Sequence, residues 1–135
     1  MAADVIGTSV PDDGIKTVTF KVATDLSAKQ FFAVKIDADR RVALASVAGA
    51  DIGGILQDAP DGSGTATVGA VKMLGTSFAI SGGTCTVGTL GTVTSAGKFV
   101  DKTGSDKEAA VIFLEGSTTD GDRILVCLIH THQTS

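Results

Sequence analysis

Apolar residues along this chain come in short stretches, alternating or continuous, and every few positions Gly, Asp or Ser cuts them. The alternation is cleanest from Lys16 to Thr24, where Val18, Phe20 and Val22 share one face and Thr17, Thr19 and Lys21 the other. A period of two sends successive side chains to opposite faces, so this segment predicts a half-buried strand. Phe32, Val34 and Ile36 alternate in the same way, Asp37 to Arg40 closes the segment, and Arg41 to Ala45 returns as the second arm of a β-hairpin. In between, Ser27 stands three residues before Gln30, the spacing of a helix capping box with room for a single turn.

Further on, Ile52 to Gln57 is a short apolar strand broken by Gly53-Gly54, where a bulge or a close backbone approach is expected. Pro60 and Asp61-Gly62 mark the next turn, and strands follow over Thr65 to Leu74 and Thr76 to Ile80. Small residues dominate Thr84 to Val100, with turns predicted at Gly88, Gly91 and Ala96-Gly97. The run Ala109 to Leu114 follows a second capping-box pattern at Ser105 to Glu108, but six apolar residues rich in Val, Ile and Phe favour a buried strand. Arg123 to His130 is apolar on both faces and is expected to be the most central strand. Strands this short, recurring every ~8 to 12 residues between Gly and Asp turns, predict an all-β fold, a small β-sandwich or partly closed barrel with at most one or two single-turn helices. No repeat of about 20 to 50 residues stands out, which argues against a solenoid.

Residues 1–15 show no sustained period and carry Gly7, Pro11 and Gly14. They read as an extended N-terminal arm before a β-rich domain over 16–130, with 131–135 as a tail. Such an arm is either disordered or ordered only against a partner; its isolated apolar side chains, Val5, Ile6 and Val10, favour the second and are the candidate contact residues.

Composition narrows the function. The chain has 135 residues, 43% hydrophobic and 19% charged, yet only 4% aromatic, with no Trp or Tyr. Those two side chains most often anchor sugars and protein partners, so their absence weighs against a glycan-binding module of a tail or fibre accessory protein, the alternative reading. High apolar content with few charges points to an apolar partner surface. The net charge of -4 argues against nucleic acid, because neutralising phosphates needs clustered Lys and Arg, and the tight pair Arg40-Arg41 falls in a turn. No apolar run approaches the ~20 residues that span a bilayer. The N-terminus lacks the basic start and apolar stretch of a secretory signal, so synthesis in the cytoplasm is expected.

Candidate chemistry is sparse. Cys85 and Cys127, in small or apolar surroundings, read as two buried thiols. Ser95 to Lys98 and Lys102 to Gly104 match S-x-x-K and K-T-G, but acyl-transfer enzymes place these on a helix and a distant strand, not within ten residues of turn-rich sequence. Asp58, Asp61, Asp120 and Asp122 do not follow a calcium-loop spacing, and His130 and His132 lack a nearby third ligand. Neither catalytic, metal nor cofactor residues are therefore assigned, and the protein is not expected to be an enzyme.

Four segments taken in order, DLSAKQFFAVKIDADRRVALAS, ADIGGILQDAP, TATVGAVKM and GDRILVCLIH, resemble the capsid decoration, or cement, proteins of tailed bacteriophages over Leu26 to Ile129. The likeness lies in the D-L-S-x-K-Q turn before a strand, the I-G-x-L-Q-like strand ending in a Pro turn, the V-x-G-x-x-K-like strand and the Gly-Asp turn into the last strand. The chain departs in its longer arm and over Phe99 to Leu114. The resemblance implies a β-rich structural protein of the virion that oligomerises, commonly as trimers. It also implies a place on the outer face of an assembled shell, bound to the major capsid protein, with no membrane or nucleic-acid partner.

Overall fold

The computed structural model describes residues 17–49, 52–62, 67–104 and 108–132, so Val5, Ile6 and Val10 lie outside the described residues. The described residues form ten strands and no helix. Strands β1 (Val18–Val22), β2 (Ala33–Ala38), β3 (Arg41–Leu44), β4 (Gly54–Leu56) and β5 (Val68–Lys72) close into a barrel in the order β1-β3-β2-β4-β5. Closure needs one parallel contact, β1 with β3, and is completed by antiparallel pairing of β1 with β5. The second sheet comprises β6 (Gly75–Ile80), β7 (Leu90–Val93), β8 (Phe99–Asp101), β9 (Glu108–Phe113) and β10 (Arg123–His132), in the order β6-β10-β9-β7-β8. Its two edges meet in a single parallel bridge, Ser81 with Phe99.

The expected all-β fold is therefore what the chain adopts. Period-two alternation puts Phe20, Val22, Val34, Val42, Leu56 and Val71 inside the barrel. Gly54 takes no side chain because an added Cβ would lie 2.8 Å from Val71 Cγ1 and collide with the Lys72 carbonyl, the close approach expected there.

Five expectations change. Ser27 starts no helix: Asp25 Oδ1 accepts from the Ser27 amide at 2.9 Å, and Gln30 Nε2 donates across to the Gln57 carbonyl at 3.0 Å. A local Asx bond competes with the capping box and wins, since the next residues are already committed to β2. Gly91 is not a turn but a paired position in β7, where its missing side chain makes room for the Phe113 ring. The strand from Arg123 lies between β6 and β9, with β9 in the middle of the sheet. It also runs on to His132, two residues into the segment read as a tail. Finally, Cys85 is buried but Cys127 is only half-buried, because Val126 and Leu128 take the inner face of β10 and Cys127 the other.

The two sheets repeat one another. Read as rings, both run first-third-second-fourth-fifth strand, with first and third parallel and every other pair antiparallel. The registers coincide as well. Ile36 pairs with Val42 where Val93 pairs with Phe99, a shift of 57 residues in both strands (36 to 93, 42 to 99). Ala33 with Ile55 becomes Leu90 with Ile112 under the same shift. Flanking strands slip by two residues in opposite senses: Val22 beside Val42 becomes Ser81 beside Phe99, and Ile55 opposite Lys72 becomes Ile112 opposite Cys127.

Details outside the ladders follow suit. The Phe31 amide donates to the Leu56 carbonyl, and the Gly88 amide donates to that of Phe113. The Ala70 amide donates to Asp58 as the Leu125 amide does to Glu115. The non-glycine residues with positive φ, Phe31 (69°) and Arg40 (55°), sit where the second unit has Gly88 (83°) and Gly97 (78°). Such φ values are rare for bulky residues, so their recurrence marks one backbone used twice.

Candidate interaction surface

The two units meet in a packed junction. From the first unit, the Ala33 amide donates to the Gly97 carbonyl at 2.8 Å, and the Gly49 amide to the Val93 carbonyl at 2.9 Å. Gln57 Nε2 donates to Ser77 Oγ at 2.9 Å. Phe31, held at its positive φ, sets its ring edge-on to Phe78 with centroids 5.5 Å apart, and the Arg123 guanidinium lies 4.5 Å from the Phe78 centroid. Strain at Phe31 is thus repaid by a contact that joins the units. Ala33, Ala45 and Ile55 of the first unit belong to the same apolar cluster as Val93, Ala110 and Leu128 of the second.

Two surfaces are open. A groove of about 490 Å³ at one end of the barrel is lined by Ile36, Ile52, Gly53, Met73 and Leu74. Val18 and Val68, also exposed, lie on strands of the same barrel. On the second unit a recess of about 390 Å³ is lined by Thr89, Leu90, Asp101, Lys102, Thr103 and Gly104, and Leu114 is exposed on the same unit.

The polar groups hold turns. Asp101 accepts from the Thr86 amide at 2.7 Å, from Thr86 Oγ1 at 2.6 Å and from Thr89 Oγ1 at 3.2 Å. Burial pushes its carboxyl upward, but these bonds outweigh burial and hold it below the ordinary carboxylate value. Lys98, from the S-x-x-K match, is paired with Asp120 at 2.8 Å, while Ser95 lies on the exposed β7–β8 turn. Asp58 accepts from the Ala70 amide and Asp122 from Ser117 Oγ. Arg41 forms a two-bond contact with Asp37 across the hairpin, at 3.0 and 3.1 Å, which holds the Asp37 carboxyl low. Both thiols are free, and burial pushes the Cys85 thiol up. Among the described residues no three His, Cys, Asp or Glu side chains gather as metal ligands. The backbones of His130 and His132 lie in β10.

Residue-by-residue reading of the sequence missed Ile36, Met73 and Leu74 as a surface. The signal was available at Ile36, an apolar residue near the end of an alternating strand, and at Met73-Leu74, a two-residue apolar joint between strands.

The architecture defines a small all-β protein built from two five-stranded units of one topology, the first a closed barrel. Among solved structures it is similar to the head fiber gp8.5 N base of bacteriophage phi29, with a TM-score of 0.63 over 88% of this chain and 98% of that chain. Sequence identity is 15%, so the likeness is one of fold. No family model matches the sequence, and no curated protein matches it significantly.

Proposed function

We propose that this protein is a structural component of a phage virion that binds the outer surface of the assembled capsid and stabilises it by bridging coat subunits. One observation carries the reading: the chain shares its fold, over nearly the whole of that chain, with a protein described as a phage head fiber base. The order of segments that resembles capsid decoration proteins points the same way, as do the net charge of -4 and the apolar groove on the barrel. A ligand that binds only the assembled shell stabilises it by mass action, and an oligomer touching several coat subunits at once gains avidity from individually weak contacts. The role needs a rigid scaffold and contact surfaces rather than a reactive group.

The partner in this reading is the major capsid protein, met by a homo-oligomer, a trimer in the family it resembles. Val5, Ile6 and Val10 order on coat protein or on a neighbouring subunit by adding a strand to an exposed sheet edge. Shells of the cognate phage lacking this protein, heated with and without added protein, supply the test. A raised disruption temperature at saturating protein is expected, and an unchanged one overturns the reading. Deleting residues 1–15 is expected to lower occupancy on shells while leaving the thermal unfolding of the free protein unchanged.

A further inference from the structure

We infer that copies of this chain associate head to tail, the open mouth of the first unit receiving the free face of the second unit of another copy, in the manner of the junction already built between the units within one chain. The repeated registers support this association independently of shell binding. Inside the chain, the first unit covers one end of the second. The covered positions include Ser77 (1% exposed), Val93 (1%) and Leu128 (3%). Their counterparts in the first unit are Val18 (44% exposed), Ile36 (51%) and the half-buried Met73. The same end of the same architecture is thus closed in one unit and open, with apolar walls, in the other.

The complementary face is also present and also open. The first unit grips the second through Ala33 and Gln57. Their counterparts in the second unit are Leu90 and Leu114, each 42% exposed. Both counterparts are larger or more apolar than the residues they replace, as expected of a surface that seats itself in an apolar groove. Of the eight large hydrophobic residues exposed on the described chain, three (Val18, Ile36, Leu74) lie around the open mouth and two (Leu90, Leu114) on the free face. An interface joining two different faces is heterologous, and it closes into a ring or continues as a filament according to its rotation.

Sedimentation velocity on the full-length protein and two variants, Ile36→Lys at the mouth and Leu90→Lys at the free face, tests this. Both positions are about half-exposed, so the variants are expected to retain the wild-type circular dichroism spectrum and melting temperature. Removing an apolar contact from the centre of the interface should weaken association by ~10-fold or more in each variant. The two variants mixed together are expected to form a dimer and nothing larger, because each retains the face the other lacks. Wild-type protein that stays monomeric at high concentration, the result if the chain's own residues 1–16 fill the groove, overturns the inference. So does a mixture in which no dimer appears, the signature of a symmetric interface in which both partners need the same intact face.

Discussion

Replacing Gly91 by Ala places a methyl group against the Phe113 ring, 2.6 Å from Cε2, and 2.9 Å from Val111 Cγ2. Neither neighbour can retreat: Phe113 and Val111 are both fully buried, in a core packed at crystal-like density. Overpacking of this kind costs about 1–3 kcal/mol. Against it stands the gain of ~0.5–1 kcal/mol from replacing a flexible glycine in a strand, where the φ is not of the left-handed kind. The clash wins, and a net loss of about 1–2 kcal/mol is expected. The first unit shows how the same space is otherwise filled. There Val34 stands at the position of Gly91, Gly54 at that of Val111 and Leu56 at that of Phe113. Shortening the ring should therefore relieve the clash. Phe113→Leu alone removes buried contacts at a cost of ~1 kcal/mol, but combined with Gly91→Ala the pair should cost at least ~1 kcal/mol less than the sum of the singles. Urea unfolding of the four proteins of this cycle, at constant m-value, measures the coupling. Additive losses would refute the claim that Gly91 is small because of Phe113.

Two further outcomes are expected. Modification by a soluble thiol reagent should proceed at least ~10-fold faster at Cys127, half-buried on the outer face of β10, than at Cys85, which is enclosed and has its thiol pushed up by burial; single Cys→Ser variants resolve the two rates. For Asp101, the folded carboxyl sits below its ordinary value of 3.8 because Thr86 and Thr89 bond to the charged form. Its contribution to stability is present above that ordinary value and is lost as pH falls through the lower folded value. Asp101→Asn should lower stability at neutral pH and flatten the acid limb of the stability curve. Urea midpoints between about pH 2 and 7 check this.

Strands were legible wherever one face is buried and the other solvated, as in Thr19 to Val22, where Phe20 and Val22 are buried and Thr19 and Lys21 exposed. The hairpin at Asp37 to Arg41 was legible from its polar turn. Gly91 was not, because a glycine reads as a turn unless the ring it accommodates, 22 residues away at Phe113, is already known to lie opposite. The duplication escaped for a related reason. The two units preserve volume rather than identity, exchanging Val34 and Gly54 for Gly91 and Val111, and slips at the first and last strands break any fixed period. The groove at Ile36, Met73 and Leu74 depends on a barrel end that only the closed ring of strands creates. The arm contacts proposed at Val5, Ile6 and Val10 fall outside the described residues, and their support is the apolar spacing of the sequence.

The central proposal is that the protein recognises an assembled shell. Co-sedimentation of the purified full-length protein with mature, expanded shells and with immature shells of the cognate phage tests it most directly. Saturable binding to mature shells at a fixed ratio to coat protein, with little binding to immature ones, is the expected result. Absence of binding to either would contradict the account.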